Sequence, residues 1–305
     1  MIEARGLTKR YGAKLAVDDV TFTVQPGVVT GFLGPNGAGK STTMRMIIGL
    51  DAPTAGTVTV GGKPYRDHPA PLHEVGALLE ARAVHTGRSA YNHLLALAQT
   101  SGIPRSRVDD VIEAVGLQDV ARKRAGSFSL GMGQRLGIAT ALLGDPEVYV
   151  LDEPVNGLDP EGIRWIRDLL KSLAARGRTV FVSSHLMSEM ALTAEHLIVI
   201  GRGRLIADTS VEEFIAGASR NLVRVRTTDP SRLRAVVEGP DVAVSTADDG
   251  ALMVSGLTTD QVGIAAAGAG LTLLELSPLQ ASLEEAFMDL TGDSVEYHAG
   301  QEGVR

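Results

Sequence analysis

The chain has 305 residues, 44% hydrophobic and 21% charged, a composition that is ordinary for a globular protein with room for two domains. Its formal charge of −7 argues weakly against a nucleic-acid partner, because affinity for a phosphate backbone needs clustered Lys and Arg. The chain has no cysteine, which excludes disulfides, thiolate metal sites and thiol catalysis and fits a reducing compartment.

Neither a signal peptide nor a membrane span is indicated by the distribution of apolar residues. The start, "MIEARGLTKRYG", has no apolar core of signal-peptide length, and no apolar run reaches the roughly 18–20 residues that cross a bilayer. The one local basic run, Arg122-Lys123-Arg124, is typical of a solvated surface. We therefore expect a cytoplasmic protein that reaches a membrane only through a partner.

Alternating and continuous apolar runs predict the elements of the first two thirds of the chain. Short β runs occupy residues 2–60, interrupted by a helical pattern after Gly39, and residues from about 89 to 143 are mostly helical. "EVYVLDEP" and "TVFVSSH" predict parallel strands buried on both faces. The helical "EGIRWIRDLLKSLAARG" lies between them, and this β-helix-β order predicts a parallel sheet.

A shift in composition near residues 217–220 predicts a domain boundary, so that the first domain covers residues 1–217. The order strand, helix, strand, strand, helix, strand then predicts a small α+β ferredoxin-like domain over residues 220–292, with a last helix in "SLEEAFMDLTG". We expect this domain to support packing or dimerisation, with a regulatory role as the alternative. Residues 293–305 are expected to form a flexible tail.

The sequence "VTGFLGPNGAGKST" predicts a phosphate-binding loop between a strand and a helix. Backbone N–H groups of such a loop form a nest for phosphate oxygens, and the helix N-terminus adds partial positive charge. Lys40 would reach the outer phosphates, and Ser41 would give a hydroxyl to Mg²⁺. The predicted nucleotide-binding residues of the loop are Gly34, Pro35, Asn36, Gly37, Ala38, Gly39, Lys40, Ser41 and Thr42.

A pair of acidic residues ends the strand predicted in "VYVLDEP". Asp152 would hold the Mg²⁺ sphere, usually through water. Glu153 points differently because side chains alternate along a strand, and it would polarise the attacking water as a general base.

Over residues 2–217 these motifs, in their order and spacing, resemble those of the ATP-binding subunits of ABC transporters. "GPNGAGKST" is similar to the Walker A motif of that family, "VYVLDEP" to its Walker B motif and "NGLDP" to its D-loop. "VFVSSH" places His185 where the family has its switch histidine, and Tyr11 has the position of an aromatic residue that stacks on adenine. The resemblance implies an α/β cassette of the P-loop NTPase class, with a mainly parallel core sheet, an antiparallel β subdomain and a helical subdomain.

The resemblance also implies a mechanism that uses ATP and Mg²⁺. Two copies of the chain, as a homodimer, would sandwich two ATP molecules head to tail. His185 would contact the γ-phosphate and hold Glu153 in register, while Asp159 would cross the dimer interface and align the partner's site.

Two departures from the family pattern stand out. Glu80 replaces a Gln that senses Mg²⁺; a carboxylate can still serve a hard cation, but it adds negative charge and does not donate as an amide does. In "FSLGM", which replaces Leu-Ser-Gly-Gly-Gln, Ser129 and Gly131 are retained as contacts to the partner's ATP. Leu130 and Met132 remove backbone freedom and an amide donor, so we expect a weaker closed dimer.

Both departures, together with "SLEEAFMDLTG", resemble a branch of ABC subunits that serves bacterial drug and antibiotic exporters of the bacitracin- and daunorubicin-resistance types. This resemblance implies an exporter ATPase on the cytoplasmic face of the plasma membrane, bound to separate multi-spanning permease subunits through a surface between Glu80 and about Gly102. One alternative is a soluble ABC ATPase acting in translation or DNA repair. A P-loop kinase is a weaker alternative, because a kinase would have no use for the D-loop and the Ser129 segment.

Overall fold

The computed structural model describes residues 1–80, 84–218, 222–279 and 282–291. Residues 1–210 form one compact unit and Val211–Leu290 form another. The first unit thus ends before the boundary predicted at 217, because the helix that follows residue 210 belongs to the second unit. The predicted tail, 293–305, lies outside the described residues.

A six-stranded sheet forms the centre of the first unit. In spatial order its strands are β5 (Val75–Leu78), β6 (Val148–Leu151), β7 (Thr179–Ser183), β3 (Val29–Leu33), β8 (His196–Gly201) and β9 (Arg204–Ser210). All neighbouring strands pair in parallel except β8 and β9. β3, β6 and β7 are buried along their whole length, as the continuous apolar runs of β6 and β7 predict. Their carboxyl ends therefore meet side by side at one edge.

A second, antiparallel sheet in the same unit has the order β2-β1-β4. Its strands are β1 (Ile2–Tyr11), β2 (Lys14–Val24) and β4 (Ala55–Val60). Phe22 of β2 contacts Phe32 of β3 and Phe181 of β7, with ring centroids 6.0 and 5.8 Å away. Aromatic clusters of this kind bury a large apolar area with specific geometry, so they fix one sheet against the other.

Seven helices are described in the first unit, together with single 3₁₀ turns at Tyr65–Asp67, Gln118–Val120 and Ala125–Ser127. The helices are α1 (Lys40–Ile47), α2 (Pro71–Glu74), α3 (Ala90–Thr100), α4 (Ser106–Ala114), α5 (Leu130–Leu142), α6 (Pro160–Ala175) and α7 (Met187–Thr193). The segment predicted as helical, 89–143, contains α3, α4 and α5. None of the helices in the described ranges has the length and apolar character needed to span a membrane.

Helix α5 lies unusually close to the edge strand β5. A Cβ on Gly76 would stand 2.1 Å from the Ala141 carbonyl oxygen, a distance that real side chains do not reach. Glycine at position 76 therefore allows the close packing. This contact holds the C-terminal end of α5 against β5.

The second unit begins with α8 (Val211–Ala218) and continues with a four-stranded antiparallel sheet of order β11-β12-β10-β13. Its elements are β10 (Leu222–Thr227), α9 (Pro230–Val237), β11 (Ala243–Thr246), β12 (Leu252–Ser255), α10 (Thr259–Gly268), β13 (Leu273–Leu279) and α11 (Leu283–Thr291). Val223, Val225 and Leu233 are among its core residues. The chain order β-α-β-β-α-β is the one that the sequence indicates.

Candidate functional site

The predicted phosphate loop connects the end of β3 to the start of α1. Gly37 and Gly39 have left-handed φ angles of +83° and +104°. A Cβ on Gly39 would lie 2.5 Å from the Ala16 carbonyl oxygen, and one on Gly34 would lie 2.5 Å from the Ile200 carbonyl oxygen. The loop therefore needs glycine both for its backbone conformation and for its passage between neighbouring strands.

Lys40 is folded over this loop. Its Nζ donates to the carbonyl oxygens of Gly34 and Pro35, at 2.5 and 3.2 Å. Burial lowers the pKa of Lys40, while the nearby charges of Glu153 and Asp152 raise it and so favour the ammonium form. A cation is thus held at the loop, beside two carboxylates.

A pocket of about 400 Å³ opens above the loop. Its lining brings together most of the residues that the sequence assigns to ATP. Tyr11 and the loop residues Pro35, Asn36, Gly37, Ala38, Gly39, Lys40, Ser41 and Thr42 line it together with the predicted Asp152 and Glu153, and Lys14 and Ala16 complete the lining without having been predicted. Tyr11 is 46% exposed, and its hydroxyl donates to Asp51 Oδ2 at 2.9 Å. Its ring therefore stands at the edge of the pocket, where the predicted adenine contact would be made.

Asp152, at the end of β6, has both carboxylate oxygens engaged. Ser41 Oγ donates to Oδ2 at 2.8 Å, and Ser183 Oγ donates to Oδ1. A serine hydroxyl next to a carboxylate is the donor set by which proteins commonly hold Mg²⁺ together with substrate phosphates. These two residues therefore fit the metal that the sequence predicts.

Glu153 has a left-handed backbone, with φ +51°, which is uncommon for a residue other than glycine. Its side-chain Oε2 lies 2.7 Å from His185 Nδ1 and accepts the backbone N–H of His185 at 3.3 Å. The structure thus brings together the predicted general base and the predicted switch histidine.

Two side chains that the sequence analysis did not assign to the site hold the backbone of Glu153. Ser183 Oγ accepts the Glu153 N–H at 3.0 Å, and Gln134 Nε2 donates to the Glu153 carbonyl at 3.0 Å. Ser183 stands at the polar end of the β7 run, which was the only signal for it. Gln134 and Glu153 are 19 residues apart in the chain, so no local sequence pattern could have indicated their hydrogen bond.

The residues predicted to contact the partner's ATP lie outside the pocket lining. Ser129 is the N-cap of α5, and its hydroxyl accepts the Met132 N–H at 3.2 Å. Asp159 is the N-cap of α6, where Oδ1 accepts the Gly162 N–H at 2.8 Å. Both capping residues are exposed at the start of their helices.

The start of α5 packs against the D-loop. A Cβ on Gly131 would lie 2.7 Å from the Gly157 carbonyl oxygen, and a Cβ on Gly157 would lie 2.4 Å from Leu130 Cγ. Leu130 is nevertheless 50% exposed. The leucine that departs from the family pattern thus has a partner within the chain.

Glu80, the third predicted metal ligand, lies just after strand β5. It is exposed and lines a separate pocket with Arg45, His93 and Thr140, instead of the pocket that contains Ser41. Strand β5 is at the edge of the sheet, and Glu80 lines that separate pocket together with Arg45. Its metal role is unsupported by this geometry and stays a prediction.

An ATP-binding cassette is defined by three features together: the parallel sheet, the phosphate loop that depends on glycine, and the carboxylates of Asp152 and Glu153, each held by its own hydrogen bonds. A family model described as ABC transporter matches residues 17–156, and a model of a domain of unknown function matches residues 221–284.

Individual proteins agree with this class. An uncharacterised ABC transporter ATP-binding protein of Bacillus subtilis is 36% identical over 97% of both chains. The bacitracin transport ATP-binding protein of Bacillus licheniformis is 43% identical over 68% of this chain and 69% of its own length. A solved ATP-binding subunit of an ABC transporter superposes with a TM-score of 0.66 at 26% identity, covering 71% of this chain and 92% of that one. The chain belongs to the ATP-binding proteins of ABC transporters, the family of cassettes that hydrolyse ATP.

Proposed function

We propose that the chain is the ATP-hydrolysing subunit of an ABC exporter for an antibiotic, a drug or another amphiphilic compound. The observation that carries the proposal is a pair of contacts beside the phosphate loop: Asp152 accepts from Ser41, and Glu153 lies within hydrogen-bond distance of His185. The relative named for bacitracin transport supports this class of cargo. These similarities favour a transporter subunit over the translation or DNA-repair alternative.

The chain's own residues divide the work of hydrolysis. The loop N–H groups and Lys40 bind the phosphates, and Tyr11 stacks on the adenine. Ser41 and Asp152 would hold Mg²⁺, which when bound neutralises charge that develops on the phosphates. Glu153 takes a proton from the attacking water through its carboxylate, and His185 holds that carboxylate in place.

A second copy of the chain completes the site in this proposal. Ser129, Gly131 and Asp159 lie outside the pocket of their own copy but at exposed helix starts, where backbone N–H groups can meet the partner's phosphate. We infer that two copies associate head to tail, so that each supplies these residues to the other's ATP.

Docking to the permease is assigned to the surface that begins at Glu80 and runs to about Gly102, of which residues 81–83 lie outside the described residues. Its described part includes a pocket of about 250 Å³ lined by Glu80, Val84 and His93. Permease binding there would place the chain on the cytoplasmic face of the plasma membrane.

The proposal is tested by Glu153→Gln in the full chain. The change keeps the size of the side chain but removes the base, so steady-state hydrolysis is expected to fall by about 100-fold or more while MgATP binding is retained. Phosphate release measures the rate, and titration with a fluorescent ATP analogue measures binding. Multiple turnovers at the normal rate would rule out Glu153 as the base.

The matched control is Glu147→Gln, at the opposite end of strand β6. Glu147 forms an exposed ion pair with Arg178, and loss of such a pair changes stability by about 1 kcal/mol or less. This variant is expected to hydrolyse ATP at the normal rate.

Recovery of the tagged chain from its own cells tests the transporter role. Co-purification of a multi-spanning membrane protein is the expected result. Recovery with ribosomes or DNA instead would favour the translation or repair alternative.

A further inference from the structure

Glu153 has an unusual backbone for the residue assigned as the base. A non-glycine residue stays in the left-handed region only where its surroundings over-determine its conformation, and such residues concentrate at functional sites. At Glu153 the φ angle of +51° decides where the side chain leaves the strand. The position of the carboxylate therefore depends on the interactions that fix the N–H and the carbonyl of Glu153.

The N–H and the carbonyl of Glu153 each form a hydrogen bond with a buried side chain. The N–H donates to Ser183 Oγ at 3.0 Å, and Ser183 is fully buried. The carbonyl accepts from Gln134 Nε2 at 3.0 Å and from the Asn156 N–H at 3.2 Å. Gln134 is only 3% exposed. Because the Asn156 bond is local to the turn, Gln134 provides the long-range restraint on the carbonyl.

Gln134 is itself fixed by the helix that carries it. The next residue, Arg135, donates to the Val115 carbonyl at 2.8 Å, and its guanidinium lies 4.6 Å from the centre of the Trp165 ring. Helix α5 is therefore anchored on both sides at this turn. An amide on such an anchored helix is a rigid support for the carbonyl that it meets.

We infer that Gln134 is a positioning residue for ATP hydrolysis. It does not line the nucleotide pocket, and it acts by holding the Glu153 carbonyl so that the carboxylate stays in reach of His185 and of the attacking water. This inference rests on the proposed role of Glu153 as the base. Without the amide, the peptide after Glu153 can rotate, and a displacement near 1 Å at a catalytic group is enough to slow a reaction by about 100-fold.

The experiment replaces Gln134 with Met in the full-length chain. Methionine has a similar length and shape but no N–H to donate, so the packing is kept and the hydrogen bond is lost. The expected result is a kcat that falls by about 10- to 100-fold, with the KM for MgATP within about twofold of the normal value. Gln134→Leu is a second variant with an apolar side chain of similar volume, and it likewise has no hydrogen to donate.

Thr193→Val is the matched control on helix α7. The buried Thr193 hydroxyl donates to the Glu189 carbonyl within α7 at 2.7 Å, so the control also removes one side-chain hydrogen bond. Its kcat is expected to stay within about twofold of normal. If Gln134 merely stabilised its own helix, both Gln134 variants would instead show parallel losses of thermal stability and ATP binding, and that result would overturn the inference.

A double change separates this inference from the proposed function. In the Glu153→Gln background, Gln134→Met is expected to cause no further loss of kcat, because the carboxylate that Gln134 positions is already absent. A further loss of similar size would overturn the inference while leaving Glu153 as the base. Normal turnover by Glu153→Gln alone would instead remove the proposed base, and a normal kcat in both Gln134 variants would remove only the positioning role.

Discussion

The two groups of predicted ATP contacts are organised differently. Around the phosphate loop, Asp152 and Glu153 are bonded to Ser41, Ser183 and His185, residues that lie far apart in the sequence. At the helix starts, the side chains of Ser129 and Asp159 bond only N–H groups of their own first turns within the described part of the chain. The first group is set by tertiary structure and the second by local capping.

This difference fits the source of each group's ligand in the proposed dimer. Residues that act on the chain's own ATP are preorganised by the folded core. Residues that meet the partner's ATP are arranged by helix caps, which form without the partner. The Ser129 hydroxyl accepts in its cap and therefore still has a proton to donate to an anion.

Among the changes that test this difference, removal of the Ser183 hydroxyl is expected to have the largest effect, a loss of ATP hydrolysis. Ser183→Ala takes a donor from Asp152 and an acceptor from the Glu153 N–H, and loss of such an outer support typically costs about 10- to 100-fold in activity. The measurement is kcat for ATP hydrolysis. Ser184→Ala is the control, since its buried hydroxyl accepts the Leu186 N–H instead. Equal rates for the two variants would show that the loop side is not held by tertiary bonds.

A smaller effect is expected at the start of α5. Leu130→Gly with Met132→Gln restores an amide donor and a flexible backbone. A hydrogen bond to a charged phosphate contributes about 1.5–3 kcal/mol, and glycine in a helix costs about 1 kcal/mol. The net gain of about 1 kcal/mol applies at each of the two ATP sites, and the sum of about 2 kcal/mol corresponds to roughly 30-fold tighter dimerisation. Sedimentation with MgATP in the Glu153→Gln background measures it.

An unchanged dimer affinity would show that the two departures are neutral. The contact of Leu130 with Gly157 would then be a full substitute for the family's glycine.

The smallest effect concerns strand β6 itself. Tyr149 is buried, its hydroxyl has no hydrogen-bond partner within the described ranges, and burial raises its pKa to about 12. Tyr149→Phe removes the unsatisfied hydroxyl, so a gain of about 1 kcal/mol in unfolding free energy is expected. Calorimetry measures this gain, and kcat should not change. A changed kcat would show that the strand, rather than the bonds at its end, sets the position of Asp152.

Much of the site could be predicted because its motifs are local. The loop from Gly34 to Thr42 is defined by glycine spacing, and its helix begins at Lys40 as the pattern requires. Ser129 and Asp159 are N-cap residues of their helices, and Ser and Asp are residue types that favour this position. The parallel strands follow from continuous apolar runs. Local chemistry was sufficient in each case.

The supports of the site could not be predicted, because they depend on how distant segments meet. Gln134 and Ser183 are ordinary residues of a helix and a strand until folding brings them to Glu153. The placement of Glu80 beside Arg45 likewise depends on tertiary packing. The left-handed conformation of Glu153 has no sequence signal, since glycine is the residue that usually marks it.

The bond between Ser41 and Asp152 has a consequence for how the cation enters. The two oxygens stand 2.8 Å apart with a hydroxyl proton between them, so a hydrogen already occupies part of the place that a divalent ion would take. Binding of the ion would therefore be an exchange, in which the hydroxyl would turn its lone pair toward the ion and give up its bond to the carboxylate. Little chain entropy would be lost in that exchange, because the two side chains are already joined by a hydrogen bond.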